Sequence, residues 1–434
     1  MDEDVSEHDP LPADEEAASG SQGPRSINHI TSIITGTGYT IYDDLIIPEI
    51  LAAKHEVVLV TCFWASSVTQ KALANCLRAL SRKAASGSAK VSVNICFSSS
   101  SLPRNMLWPT PQRGQIYDPS TWTKLGLPQA NELHGIDLRV CRKFFWPLGI
   151  IHSKYVIIDR KVAIFPSCNV SWERWFEFAV KTQGPIVDSL LSFHVDFWGD
   201  DHQLIQLSAV SSLQQDESRS SSTTEGIRAF TTLLPSPHTP TLIPKHLKLP
   251  SMMGRLPCVP DAPTRFPETA LLATTYRLLH QATNSIIMLT PNLTEPAVLD
   301  ALSCALERGV NLIIWTNSTL MTMEQIVTAG TTTPRCIRAL QKKAEAFRGV
   351  LEVNYFDQGP GKEPVLDSDK ETTPIKLHSK VTIIDADKIL VGSGNMDAAS
   401  WGTSQELGVL IESGSVVREF LRSWRYGNIS LCPV

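Results

Sequence analysis

Two short stretches hold the residues best suited to chemistry. One runs Ile151-His152-Ser153-Lys154-Tyr155-Val156-Ile157-Ile158-Asp159 and is followed by Pro166-Ser167-Cys168-Asn169. The other runs Leu377-His378-Ser379-Lys380-Val381-Thr382-Ile383-Ile384-Asp385 and is followed by Gly392-Ser393-Gly394-Asn395. Both read His-x-Lys, four residues, Asp, then Ser-x-Asn, and His to Asn is 17 residues in each. Polar groups at identical spacing inside apolar runs point to a duplicated unit whose halves share one site.

These residue types suit a phosphodiester. Imidazole serves as nucleophile or acid because its proton comes and goes near neutral pH. Ammonium and amide groups hold the non-bridging oxygens as charge redistributes. The expected catalytic set is therefore His152, Lys154 and Asn169 with His378, Lys380 and Asn395. A metal site fits worse, since lysine repels a cation and His-x-Lys lacks the usual carboxylate or thiolate partners. No metal and no cofactor is expected. On a strand, His and Lys two apart share a face, while Asp159 and Asp385, seven after their histidines, fall on the opposite face or in the next turn. The aspartates are expected to be structural.

His-x-Lys-x4-Asp followed by Gly-Ser-x-Asn resembles the signature of the phospholipase D superfamily, carried twice. The second copy matches through Gly392-Ser393-Gly394-Asn395, with Ser400 and Glu406 at family-like places. The first departs from it, with Pro166 in place of glycine and Glu177 closer to its asparagine than Glu406 is. The resemblance implies a covalent phosphohistidine, with one histidine attacking phosphorus while the other protonates the departing alcohol and then activates water or an acceptor alcohol. By that analogy His152 is the nucleophile and His378 the acid and base. Glu177 and Glu406 would orient the histidines, and Ser167 and Ser393 would add hydrogen bonds.

The elements that must position these groups repeat as well. Glu56–Phe63 reads as a buried strand, Leu73, Leu77, Leu80 and Ala84 as one helical face, and Val91–Phe97 as a second strand. The second half answers with a strand over Ser285–Thr290 and a helix capped by Thr294 and closed by Gly309. A further strand follows over Val310–Thr316. Glu-led strands then follow at Glu177–Lys181 and Glu406–Ile411, and helices end at Trp198 and Trp424. The expected fold is α/β, two pseudo-symmetric α-β-α lobes of phospholipase D type with the active site at their interface. The expected divisions are an acidic disordered tail (1–26), a first lobe (27–209), a Ser/Thr/Pro-rich linker (210–263) and a second lobe (264–434).

Composition narrows the partners. Net charge is −5, but eight carboxylates precede the first basic residue, Arg25, and without those eight the rest stands at +3. That is too mild for a large nucleic-acid footprint. Nine scattered cysteines suit a reducing compartment, and Cys168 reads as a small packing residue. With no signal peptide or membrane span in view, the expected location is intracellular, cytoplasmic or peripheral on a membrane. Basic and aromatic residues at Arg142-Lys143-Phe144-Phe145-Trp146 suit either a membrane interface or a core strand. The leading expectation is a phosphodiesterase that hydrolyses phospholipid or transfers a phosphatidyl group, with peripheral membrane contact. The alternatives are a nuclease and a silent lipid-binding scaffold. Oligomeric state is left open.

Overall fold

Runs of β-branched and aliphatic residues between turn signals make strands here, and the computed structural model joins most of them into one sheet. It describes residues 23–87, 89–99, 110–111, 114–145, 149–199, 226–237, 266, 268–356, 374–426 and 429–430. The expected acidic tail up to residue 22, Trp146 and the polar stretch 357–373 lie outside these.

The first half supplies β1 (Ser26–Gly36), β2 (Glu56–Phe63), β3 (Val91–Ser99), β4 (Gln115–Ile116), β5 (Ile136–Arg142), β6 (Tyr155–Ile158), β7 (Val162–Pro166) and β8 (Trp175–Gln183). The second supplies β9 (Ile227–Ser236), β10 (Ser285–Leu289), β11 (Asn311–Thr316), β12 (Leu351–Tyr355), β13 (Lys376–Leu377), β14 (Val381–Ile384), β15 (Lys388–Gly392) and β16 (Glu406–Glu412). Their order is β12-β11-β10-β14-β15-β16-β9-β1-β8-β7-β6-β2-β3-β5-β4, with β13 paired to β8 off this path. Read inward from either side, a parallel pair (β10–β11, β2–β3) meets an antiparallel hairpin (β14–β15, β6–β7) and then a Glu-bearing strand.

The strand β9 falls inside the stretch expected to be linker. It pairs with β16 on one side and β1 on the other, so it joins the halves at the middle of the sheet.

Alternate side chains go to opposite faces of the sheet. One face carries a core common to both halves, covered by α2 (Ile186–Trp198) and α7 (Gly414–Ser423) and anchored by buried Trp198 and Trp424. The other face has a separate core in each half. The first-half core packs under α1 (Val68–Ala84). The second packs under α3 (Ala270–Gln281), α4 (Pro296–Arg308) and α6 (Thr333–Ala344). Gly309 closes α4 in the left-handed conformation, at φ 101°. Its N-cap is Glu295 rather than the expected Thr294. Pro296 takes the first helical position and holds Glu295 extended, so the Glu295 carboxylate accepts from Ala297 N–H.

Arg142, Lys143 and Phe144 are buried, which favours the core reading of that stretch over a surface one. Lys143 donates to the Phe197 carbonyl and lies over the Phe197 ring at 4.1 Å. Among the described residues no helix is long and apolar enough to cross a membrane.

Candidate active site

The two motifs do not sit on strands. Strand β6 begins at Tyr155 and β14 at Val381, so each His-Ser-Lys is an extended lead-in to its strand. The reason lies in the lysines. Lys154 Nζ donates to the His152 carbonyl at 2.7 Å and Lys380 Nζ to the His378 carbonyl at 2.5 Å, so side chains take acceptors that a sheet ladder would use.

Each lead-in runs beside the other half. His152 N–H donates to the Gln405 carbonyl at 2.8 Å, just before Glu406. His378 N–H donates to the Phe176 carbonyl at 3.0 Å, just before Glu177. The histidine–carboxylate pairs are consequently crossed between the halves. His152 Nδ1 lies 3.0 Å from both oxygens of Glu406, while His378 Nδ1 lies 2.7 Å from Oε1 of Glu177. Ser167 Oγ donates to Glu177 and Ser393 Oγ to Glu406, each within its own half. The two imidazole rings stand edge to face with centroids 6.5 Å apart.

All of these groups are buried, and the charges differ between the pairs. Burial alone would raise the Glu406 carboxyl, but His152, Ser393 and Lys154 hold it below its ordinary value. Burial wins at Glu177, whose carboxyl is raised despite Lys380 and Ser167. Burial and then Lys380 and Lys154 push His378 well below the usual imidazole range. His152 is lowered by burial against the pull of Glu406. Burial, with Lys154 adding to it against Glu177, brings Lys380 down to about 7. Two lysines that disfavour the charge of both histidines make a place that an anion would relieve.

The aspartates lie at the hairpin turns. Asp159 accepts from the N–H groups of Lys54, His55 and Glu56, and Asp385 from those of Thr283, Asn284 and Ser285. Both carboxylates thereby tie down the start of a neighbouring strand, β2 or β10. Both occupy left-handed backbone, φ 48° and 52°, as a mirror-image hairpin turn requires and as aspartate tolerates.

The asparagines are anchored in their own halves. Asn169 Oδ1 accepts from Phe63 N–H at 3.3 Å. Asn395 Nδ2 donates to Asp397 at 3.1 Å, and its buried Oδ1 has no hydrogen-bond partner. Cys168 is buried, with its thiol pushed up by burial. Among the described residues, no three His, Cys, Asp or Glu side chains gather as a metal ion would need.

Two residues at the site escaped the sequence reading. Trp175, two before Glu177, stacks on His378 with ring centroids 4.3 Å apart. Asp397, two after Asn395, also accepts from Asn292 and from Ser400 N–H. Their signal was there in the mismatch of the copies, since the matching positions hold Ser404 and Ser171.

Residues 276–425 match the family model described as cardiolipin synthase, PLD-like domain. Over those residues the chain is similar to the phospholipase D-like proteins. Among solved structures, the fold is similar to that of phosphatidylserine synthase of Haemophilus influenzae Rd KW20. That match is 13% identical with a TM-score of 0.55, covering 92% of this chain and 87% of that one. Nuc of Salmonella typhimurium, a phospholipase D family member, is 20% identical over 36% of this chain and 86% of its own, with a TM-score of 0.28. No curated protein matches by sequence. The matched stretch contains the motif residues of the second half, His378 to Glu406, and the first half carries its own copy of His-x-Lys outside it.

Proposed function

We propose that this chain is a metal-independent phosphodiesterase acting on phospholipid, by hydrolysis or by transfer of the phosphatidyl group to an alcohol. The crossed histidine–glutamate pairs carry this reading. Each puts a carboxylate on Nδ1, which orients the ring and leaves Nε2 for chemistry. The proposed site lies at the interface of two pseudo-symmetric lobes, residues 27–209 and 264–434, and includes His152, Lys154, Asn169, His378, Lys380 and Asn395. The phosphoryl group sits between the histidines, its non-bridging oxygens against Lys154 and Lys380. One Nε2 attacks phosphorus, and the P–O bond to the departing alcohol breaks. The other Nε2–H gives that oxygen its proton. The second histidine then takes a proton from water or an acceptor alcohol as that oxygen displaces the phosphohistidine. Glu177, Glu406, Ser167 and Ser393 hold the rings, and Asp159 and Asp385 hold the strands.

A lipid substrate is preferred over nucleic acid for a further reason. The short helix α5 (Thr322–Ala329) exposes Met323, Ile326 and Val327 at helical spacing. Gln325 of the same helix donates to Asn292, which in turn donates to Asp397 beside Asn395, so this apolar stripe borders the site. Apolar side chains there favour peripheral contact with a lipid surface.

The test is turnover of phosphatidylcholine, phosphatidylglycerol, cardiolipin and single-stranded DNA after exhaustive chelation. Lipid cleavage should survive it. His152→Ala and His378→Ala should each remove nearly all of it, with no further loss in the double variant. Preference for DNA would favour the nuclease reading. Half the activity left in each single variant would mean two independent sites.

A further inference from the structure

Two histidines in a shared site need not be interchangeable, and here their surroundings differ. The position two residues before the clamping glutamate is Trp175 for His378 and Ser404 for His152. The indole of Trp175 lies 4.3 Å from the His378 ring, tilted by 36°. Among the described residues no aromatic ring other than His378 lies against His152. His378 is 1% exposed and His152 8%. A serine takes Oε2 of each glutamate, but Glu177 meets His378 through Oε1 alone, whereas both oxygens of Glu406 lie 3.0 Å from His152 Nδ1.

We propose that His378 is the nucleophile and His152 the general acid and base, with Trp175 the positioning residue that sets this assignment. This rests on the proposed function and reverses the roles that family analogy implies. A nucleophilic imidazole must begin neutral and with its water removed. Covering His378 with an indole in a closed site does both. When its Nε2 lone pair bonds to phosphorus, the ring keeps its Nδ1 proton and becomes cationic. That charge appears only as the reaction proceeds, under the face of Trp175 and beside Glu177, so both stabilise the transition state more than the ground state. The acid has the opposite need. It must hold a proton before reaction, and a carboxylate presenting both oxygens to its ring favours that charge. In balance, the P–Nε2 bond to His378 forms, and the P–O bond to the leaving group breaks. The electron pair goes to that oxygen, which takes the His152 proton. Water then returns a proton to His152 as its oxygen bonds to phosphorus and the P–Nε2 bond breaks.

The test uses bis(4-nitrophenyl) phosphate, whose leaving group departs as a stable anion and needs no acid. The full chain and its His152→Ala and His378→Ala variants are followed by rapid mixing, and quenched protein is mapped for phosphohistidine. The wild-type label should fall on His378. His152→Ala should still release about one equivalent of nitrophenol in a burst and stay labelled, because only the second step lacks its base. His378→Ala should give no burst. Label on His152, or a burst in His378→Ala, overturns the assignment. Trp175→Ser should slow the burst about tenfold or more, and Trp175→Phe should restore it at an unchanged melting temperature. Equal bursts in wild type and Trp175→Ser would remove the indole's role. A wild-type chain that turns over with no label on either histidine defeats the covalent mechanism itself, a distinct result from label on the wrong one.

Discussion

The two halves build the same clamp from different supports. In the second, Gly392 faces Gly408 across the β15–β16 pair, and Gly394 lies opposite Leu271 of α3. In the first, the matching pair is Pro166 and Ala179, and the residue matching Gly394 is Cys168, which meets Gly38. Bulk has moved across the contact: Leu271 on α3 meets a glycine after the serine, or a cysteine after the serine meets Gly38. A second exchange lies on the shared core. His194, four before Trp198, bonds Tyr155 Oη at 2.9 Å and lies 3.3 Å from the Asn94 amide. Four before Trp424 stands Phe420, fully buried. Histidine, lysine, serine and glutamate recur at the site, while what packs behind them has been traded. The constraint falls on hydrogen-bonding geometry, and volume is conserved only in sum.

Breaking one clamp chemically should give the largest effect. Lys380→Met should melt as wild type does yet lose about 100- to 1000-fold in kcat, since the phosphoryl oxygens lose a cation. In the free enzyme Lys380 loses its proton as pH rises through about 7, so kcat/KM should fall on the alkaline side. An alkaline limb unchanged in Lys380→Met would assign it to another group.

The polar network is a difference in acid stability. Burial, with Arg139 adding to it, holds His194 neutral with its pKa lowered to about 3. In the unfolded chain it takes a proton near 6.5. Its contribution is therefore whole above about pH 6.5 and is lost as pH falls toward 3, at up to ~1.4 kcal/mol per unit. Denaturant melts across that window should show a shallower slope in His194→Gln. Parallel slopes would place the acid sensitivity elsewhere, and Phe420→Leu in the second half should leave the slope unaltered.

The aspartates sharpen the likeness. Asp159→Asn and Asp385→Asn should each cost about 1–3 kcal/mol, from lost charge on three strand-end N–H groups, with turnover kept at temperatures where the fold persists. A variant that melts normally but loses turnover would place its aspartate in the site. The smallest effect concerns the traded bulk. A Cβ at Gly408 would come within 2.5 Å of Leu271 Cδ1, so Gly408→Ala should lower stability by ~1 kcal/mol as that flexible side chain shifts. Ala179→Gly in the first half should cost ~1 kcal/mol, from backbone entropy and the lost packing of a buried methyl. Equal melting temperatures for wild type and Gly408→Ala would show that Leu271 moves aside freely.

Local signals carried much of this into the sequence. Continuous apolar runs marked β2, β3, β10 and β11, Gly309 marked the end of α4, and tryptophans marked the ends of α2 and α7. What stayed hidden depends on distant partners. Nothing near Ile227–Ser236 separates a central strand from the Ser/Thr/Pro-rich sequence around it, because its pairing with β1 and β16 is long-range. The crossing of the clamps is hidden for the same reason. Glu406 lies 254 residues from His152, and Glu177 lies 201 from His378. Spacing within each copy says only that a glutamate follows. Arg142 and Lys143 looked amphipathic, and burial of such residues depends on acceptors that sequence does not name.

The crossed pairs bear on how the polypeptide is made. Synthesis delivers the first half before the second. When residues up to Gln183 have emerged, both His152 and Glu177 exist, yet each lacks its mate. No nascent fragment ending before Glu406 holds both histidines in their carboxylate grips. On the proposed function, chemistry would not begin on a half-made chain, and the onset of turnover would mark completed assembly rather than either half alone.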